Sequence, residues 1–376
     1  MALRPDSVTT TTDLPEAGGP DFVHLHVHSE FSLLDGLGRI PSIVARAKAL
    51  GQPAIALTDH GNLHGLMDFY TTARKAGIKP IIGCEVYVAP RSMTDREPKV
   101  DDRPYHLTLL ARDLDGYRNL LRLVSAASID GFYYKPRIDR ALLERHANGL
   151  IALSGCMSGE VPRLLLDGQT DAARRSASWY ADLFGRDHYL IEVQNQNLSG
   201  QDALNRNLVE LARGLDLRVV AANDAHYVHP ADHKAHDVLL CIQTGATVDQ
   251  KNRMALETGE FYLKSGAEML RQFTGLEDAL SNTRFVADQV DLTLDFSRVN
   301  LPHFEVPPGE TPSSYLRTLS FEGIQRRYGR VTDEQRTRLD YELSVIDRTG
   351  YPLYFLIVAD YVRFARERGI LAMPRG

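Results

Sequence analysis

Seven short apolar runs separated by helix-length amphipathic segments constrain the fold of this 376-residue chain more than any other feature. The runs are FVHLHV (22–27), PAIALT (53–58), PIIGCEVYVA (80–89), YHLTLLA (105–111), GLIALSG (149–155), HYLIEVQ (188–194) and RVVAAND (218–224). Short runs bounded by turn residues read as strands. Between them lie IPSIVARAKALG, HGLMDFYTTARKAG, GYRNLLRLVSAAS, QTDAARRSASWYADLFG and SGQDALNRNLVELARGLD, which carry the helical period. Strands alternating with helices imply βα units around a parallel sheet. The expectation is therefore an α/β barrel-like domain over 22 to about 240, with connecting helices to about 290. Residues 1–21 are polar, Thr-rich and broken by Pro and Gly, and read as a disordered tail. From 291 onward the prolines and glycine of LTLDFSRVNLPHFEVPPGETP mark a domain edge, and the helical patterns that follow read as an incomplete second domain.

The net charge of −6 argues against a chain held to nucleic acid mainly by a basic surface, although bound cations can supply positive charge locally. Three widely spaced cysteines suit a reducing, cytoplasmic setting better than a disulfide framework. No signal peptide or membrane span is visible, so no membrane partner is expected.

The informative residues are the polar ones placed in or beside the apolar runs. His26 and His28 finish the first run, Asp59 and His60 follow the second, Glu85 lies within the third, and His106 begins the fourth. Cys156 follows the fifth, Asp224 and His226 follow the seventh, and Asp35 sits on the loop after the first. In a parallel barrel the strand ends converge on one mouth. Imidazoles, carboxylates and a thiol gathered there need partners once desolvated. Metal ions meet that need. Nine candidate ligands (His26, His28, Asp35, His60, Glu85, His106, Cys156, Asp224 and His226) exceed what one ion requires, so two or three are expected, and mixed N/O ligation suits zinc, manganese or iron. Hydrolysis of a phosphate ester is the chemistry such a cluster favours.

Each feature also has a plainer reading. A lone His-x-His on a strand reads as structural, TDHG as a turn with a helix cap, and Cys156 as a buried thiol. Glu85 in an apolar strand resists such a reading, because an unpaired buried carboxylate is costly. His229, His233 and His236 have spacings suited to one helix face, but Pro230 and charged neighbours make a solvated helix start the better reading. His24, His64 and Trp179 read as packing or surface residues. In YYKPRID, Lys135 and Arg137 are weak candidates for contacting phosphate or DNA. The loop RSMTDREPKVDDRP reads as polar and solvent-facing.

Taken together, HLHVHSEFSLLDG, ALTDHGNLHG, GIKPIIGCEVYV, GFYYKPRID, LSGCMSGE, ANDAHY and DVLLCIQTG resemble the PHP (polymerase and histidinol phosphatase) superfamily. With YPLYFLIVADYV added, they resemble more closely the N-terminal part of the bacterial replicative DNA polymerase III alpha family. The resemblance implies a distorted seven-stranded (β/α) barrel followed, from 291, by the start of an α/β polymerase palm. It also implies a three-metal site, with Glu85, Asp224 and His226 in catalytic roles. His26, His28, Glu85 and Asp224 would hold one ion; Glu85, His106 and Cys156 a second; Asp35, His60 and His226 the third. The implied activity is 3′–5′ hydrolysis of DNA phosphodiesters in proofreading, with magnesium serving the polymerase of the full-length protein. DNA, the sliding clamp and the clamp loader are the implied partners. A free-standing phosphatase of the histidinol-phosphatase type and a non-catalytic scaffold are the alternatives. Where the family usually continues with a Gly-Pro-Gly-Arg-Gly-Ser loop, this chain reads LAMPRG.

Overall fold

The computed structural model describes residues 21–297 and 301–372; of the tail expected at 1–21, residues 1–20 lie outside that range, as do the last four residues of LAMPRG. The described chain divides into compact units at Leu294/Asp295.

The first unit is built on eight strands: β1 (Ala54–Leu57), β2 (Lys79–Val88), β3 (Tyr105–Ala111), β4 (Phe132–Tyr133), β5 (Lys135–Ile138), β6 (Leu150–Leu153), β7 (Tyr189–Gln194) and β8 (Val219–Ala222). Six of the seven runs thus form strands. The first run, FVHLHV, forms no regular strand. It is an extended segment that accepts from Ala56 and Thr58 beside β1, while beyond β8 the Ala225 N–H donates to the His26 carbonyl and the His28 N–H to the Ala225 carbonyl. This segment joins the two ends of a curled sheet whose order is otherwise β1-β2-β3-β6-β7-β8, with β5 pairing the far end of β2. Each of its residues faces a buried environment: Val23, Leu25 and Val27 pack in the apolar core, while His24, His26 and His28 alternate with them.

Apart from the β4–β5 hairpin, the sheet departs from an all-parallel barrel at one strand. β3 runs antiparallel to both β2 and β6, whereas the β1-β2, β6-β7 and β7-β8 pairs are parallel. The reversal matters for the site. A residue at the start of a parallel strand would lie at the wrong end of the barrel, but β3 brings its first residues, including His106, to the mouth where the other strands finish.

Helices Ile40–Ala49, Leu66–Ala76, Leu114–Ile129, Thr170–Phe184 and Gln201–Gly214 cover the sheet, as their apolar periodicity predicts. Asp113 caps Leu114–Ile129, and Asp139 caps the short helix Arg140–His146, each by accepting from the backbone N–H three residues on. The loop 91–104 is largely exposed, as its composition suggests, but it is anchored at one point. Asp101 within it is fully buried, accepts from Arg91 and the Glu97 amide, and its carboxyl is held low by the Arg91 guanidinium.

The second unit contains three helices, Pro312–Tyr328, Asp333–Arg348 and Pro352–Glu367, packed around Leu316, Leu343 and Leu356. Where an α/β palm is expected, its described residues form helices and no strand. Among the described residues of the chain, no helix is long and apolar enough to cross a membrane.

Candidate metal centre

Local structure delivers each ligand candidate to the mouth. After His28 the chain turns tightly, with Ser32 N–H bonded to the Ser29 carbonyl and Asp35 and Gly36 N–H to the Ser32 carbonyl. Gly36 is required here, since a Cβ would lie 1.8 Å from the Ser29 carbonyl oxygen. The Leu37 N–H then bonds the His226 carbonyl, which fixes the Asp35 loop to the end of the β8 segment. β1 runs on into Asp59–His60, and His60 bridges to Glu85 of β2. Cys156 follows Gly155, whose φ of +82° lets the backbone pass close to His106. Asp224 itself has φ +48°, an uncommon left-handed conformation for a side-chain-bearing residue and one that concentrates at functional sites.

All nine candidates come together. Glu85 is the hub. Its Oε1 lies 2.8 Å from His106 Nδ1, 3.4 Å from His26 Nε2 and 3.7 Å from Cys156 Sγ, and its Oε2 lies 2.6 Å from His60 Nδ1 and 3.8 Å from His28 Nε2. Asp224 Oδ1 lies 3.1 Å from His28 Nε2, 3.4 Å from His26 Nε2 and 3.6 Å from His226 Nδ1. Asp35 faces His60 Nε2 at 3.3 Å and His226 Nε2 at 3.9 Å. The rings of His28 and His226 stack with centroids 4.4 Å apart.

The donor atoms fit cations, and the surrounding hydrogen bonds show why. Ser32 Oγ has one proton, and Asp59 accepts it at 2.7 Å. The same oxygen must therefore accept from His28 Nδ1 at 3.0 Å and from the His60 amide at 3.1 Å, which leaves the His28 Nε2 lone pair facing the centre. His26 Nδ1 donates to the buried carboxylate of Glu192 at 2.8 Å, and His226 Nδ1 to the Asp224 carbonyl at 2.8 Å. Three imidazoles thus have Nδ1 committed to a supporting partner and Nε2 turned inward, the arrangement that supporting hydrogen bonds give metal-ligating histidines. His26 Nε2, His28 Nε2, Asp35 Oδ1, His60 Nδ1, Glu85 Oε2 and Asp224 Oδ1 are buried there, close to one another but without a well-aligned hydrogen bond. Six such atoms would be costly if they faced only each other.

The charges are arranged accordingly. Burial would raise the Glu85 carboxyl, but His106, His60 and His26 hold it well below the usual range, and Asp224 is likewise held down by His26 and His226 against its burial. Burial, reinforced by His60 and His226, pushes His28 down to about 3. Burial opposes charge on His60 too, yet Glu85 and Asp35 outweigh it and raise this imidazole to about 10. Burial together with Glu85 and Asp224 pushes the Cys156 thiol up. A cation reverses that last effect, since a coordinating thiol is deprotonated outright.

Other expectations need correction. Arg137 does not face a phosphate: it is fully buried, and its guanidinium donates to the carbonyls of Gly131, Asp101, Met93 and Asp95. Lys135, two residues earlier, stays near the mouth with Nζ 5.4 Å over the Tyr87 ring. His236 is not on a solvated face. It is buried, and its Nε2 donates to the Asp35 carbonyl at 2.7 Å, so it supports the Asp35 loop from behind. His24 packs in the core as expected, one step deeper than His26, with Nε2 on the Lys264 carbonyl. Sequence reasoning missed Glu192 altogether. Its signal was the one that exposed Glu85, a carboxylate in the middle of an apolar strand.

Residues 24–196 match the PHP domain family, and residues 314–376 match the bacterial DNA polymerase III alpha NTPase domain. The DNA polymerase III subunit alpha of Borreliella burgdorferi is 44% identical over 93% of this chain, and that of Treponema pallidum 44% identical over 94%. The chain spans 31% and 30% of the length of these two relatives. Among solved structures, a Bifidobacterium adolescentis protein described as a metal-dependent phosphoesterase is 18% identical, with 68% of this chain and 98% of that chain covered and a TM-score of 0.34. With a PHP domain surrounding the centre and homology to alpha subunits running along nearly its whole length, the chain belongs to the DNA polymerase III alpha family.

Proposed function

We propose that the centre binds two or three divalent cations, zinc, manganese or iron, and hydrolyses DNA phosphodiesters from the 3′ end. The convergence of six buried donor atoms without a well-aligned hydrogen bond carries this reading. His26, His28, Glu85 and Asp224 would hold one cation, Glu85, His106 and Cys156 a second, and Asp35, His60 and His226 a third. Divalent cations, when bound, acidify water and neutralise phosphate oxygens. Glu85 belongs to two of the groups and would set their separation. Asp224 and His226 lie beside one another, with Oδ1 and Nδ1 3.6 Å apart; Asp224 takes up the proton released from the attacking water on its second carboxylate oxygen, while His226 holds the cation that acidifies that water. For the longer protein, family membership supports magnesium-dependent DNA polymerisation, with the sliding clamp and clamp loader as partners.

The test is a labelled primer on a template, incubated with this chain and manganese or zinc, alongside metal analysis of the purified protein. Metal retention and shortening from the 3′ end are expected, with shortening reduced about 100-fold in Asp224→Asn. A chain that holds no metal, or an intact primer under every metal condition, would replace this reading with that of a non-catalytic scaffold.

A further inference from the structure

One feature at the mouth has no part in holding cations. The hairpin formed by β4 and β5 pairs Phe132 with Pro136 and Tyr133 with Lys135, leaving Tyr134 at its tip. Tyr134 is 70% exposed and Phe132 55%, which puts two large aromatic side chains in solvent within three residues. Scattered exposed apolar residues need no explanation, but this pair is held rigidly in place. The Arg137 guanidinium clamps the base of the hairpin to the Gly131 carbonyl and to the 91–104 loop, and it lies 5.1 Å beneath the Tyr133 ring. Tyr133 packs edge-on against Tyr134 at 4.7 Å. Tyr134 also adopts φ +58°, a conformation that disfavours a bulky residue. Backbone strain is thus accepted at a position where the ring contributes little to the core.

The hairpin adjoins the centre. Pro136 sits against Gly61, the residue after His60, where an added Cβ would meet it at 2.7 Å. Lys135 Nζ lies over Tyr87, whose ring is 5.1 Å from that of His106 and 6.0 Å from that of His60. A single aromatic ring therefore separates a solvent-reaching ammonium from two ligand candidates, with exposed aromatic side chains beyond it. Aromatic rings beside a cation make the arrangement that binds unpaired nucleotides, because every base has a face to stack and every linkage a charge to neutralise. A duplex end offers no free base faces along its strand and fits the hairpin less well.

We infer that the Phe132–Lys135 hairpin is the docking site for the single-stranded 3′ end of DNA, with Tyr134 stacking on a base and Lys135 contacting a phosphate. This inference rests on the phosphodiesterase reading for the direction of the strand, but binding tests it separately from hydrolysis. The probe is a single-stranded oligonucleotide with 2-aminopurine near its 3′ end and a terminal phosphorothioate linkage to slow cleavage. Anisotropy and aminopurine quenching are read on the whole metal-loaded chain. Tyr134→Asn suits the left-handed backbone and should leave the melting temperature unchanged while weakening binding about 5- to 100-fold and abolishing quenching; Tyr134→Phe should retain both. Lys135→Ala should reduce the slope of log K against log salt by about 0.7, the contribution of one phosphate contact on a single strand. Unchanged quenching in Tyr134→Asn, or an unchanged salt slope in Lys135→Ala, overturns the inference even if the chain hydrolyses DNA. Loss of both signals supports it even if the chain hydrolyses nothing.

Discussion

Glu192→Gln tests whether the supporting hydrogen bonds, rather than the nine ligand candidates alone, build the centre. Glu192 is fully buried, and its Oε1 accepts from His26 Nδ1 at 2.8 Å and from Gln194 Nε2 at 2.7 Å, while Oε2 has no partner. The substitution keeps shape and both acceptor contacts but removes the charge that makes His26 a stronger ligand. Losing such a partner typically lowers metal affinity about 10- to 100-fold. At free metal roughly one hundred times the wild-type Kd, binding stabilises the fold by about 2.7 kcal/mol; that figure falls to about 1.4 or about 0.4 kcal/mol in the variant. The metal-dependent rise in melting temperature should then shrink by roughly 2–4 °C. The assay compares thermal unfolding of metal-loaded and metal-stripped protein for each variant, so that a direct effect of the substitution on the metal-free fold cancels. A metal-dependent increment equal to the wild type's would refute the reasoning, because Glu192 would then be filling space and not holding His26.

Two further predictions concern stability. His24 is held down at about 4 by burial, against an ordinary value of 6.5. The unfolded chain therefore takes up this proton first, and about 3 kcal/mol of stability present above pH 6.5 is lost as the pH falls towards 4. Urea unfolding of the metal-stripped chain across that window should show a shallower pH slope for His24→Gln, and parallel slopes would show that His24 carries no such penalty. Arg137→Met removes the donors from four carbonyls and should destabilise the barrel by about 3–5 kcal/mol in the same assay. Unchanged stability with weakened DNA binding would instead restore Arg137 as a phosphate contact.

The linear order of residues determined a good deal of this protein. Strand and helix periods are local properties of the backbone, so six of the seven apolar runs could be placed as strands from their pattern alone. The nine ligand candidates could be found because an ionisable side chain next to or inside an apolar run is expensive to bury, and that conflict is visible without coordinates. Tertiary structure decided what depends on pairing between distant segments. The reversal of β3 is set by its partners β2 and β6, and only that reversal carries His106 to the same end as Glu85. Arg137 and His236 show the same limit. Each looked solvated among its polar neighbours, and each is buried because backbone carbonyls from remote loops, at Met93, Asp95 and Asp101 for one and Asp35 for the other, converge on its donors. Composition records that a cation or an imidazole is present, but whether it meets water, a ligand or a carbonyl is settled by which loops the fold brings to it.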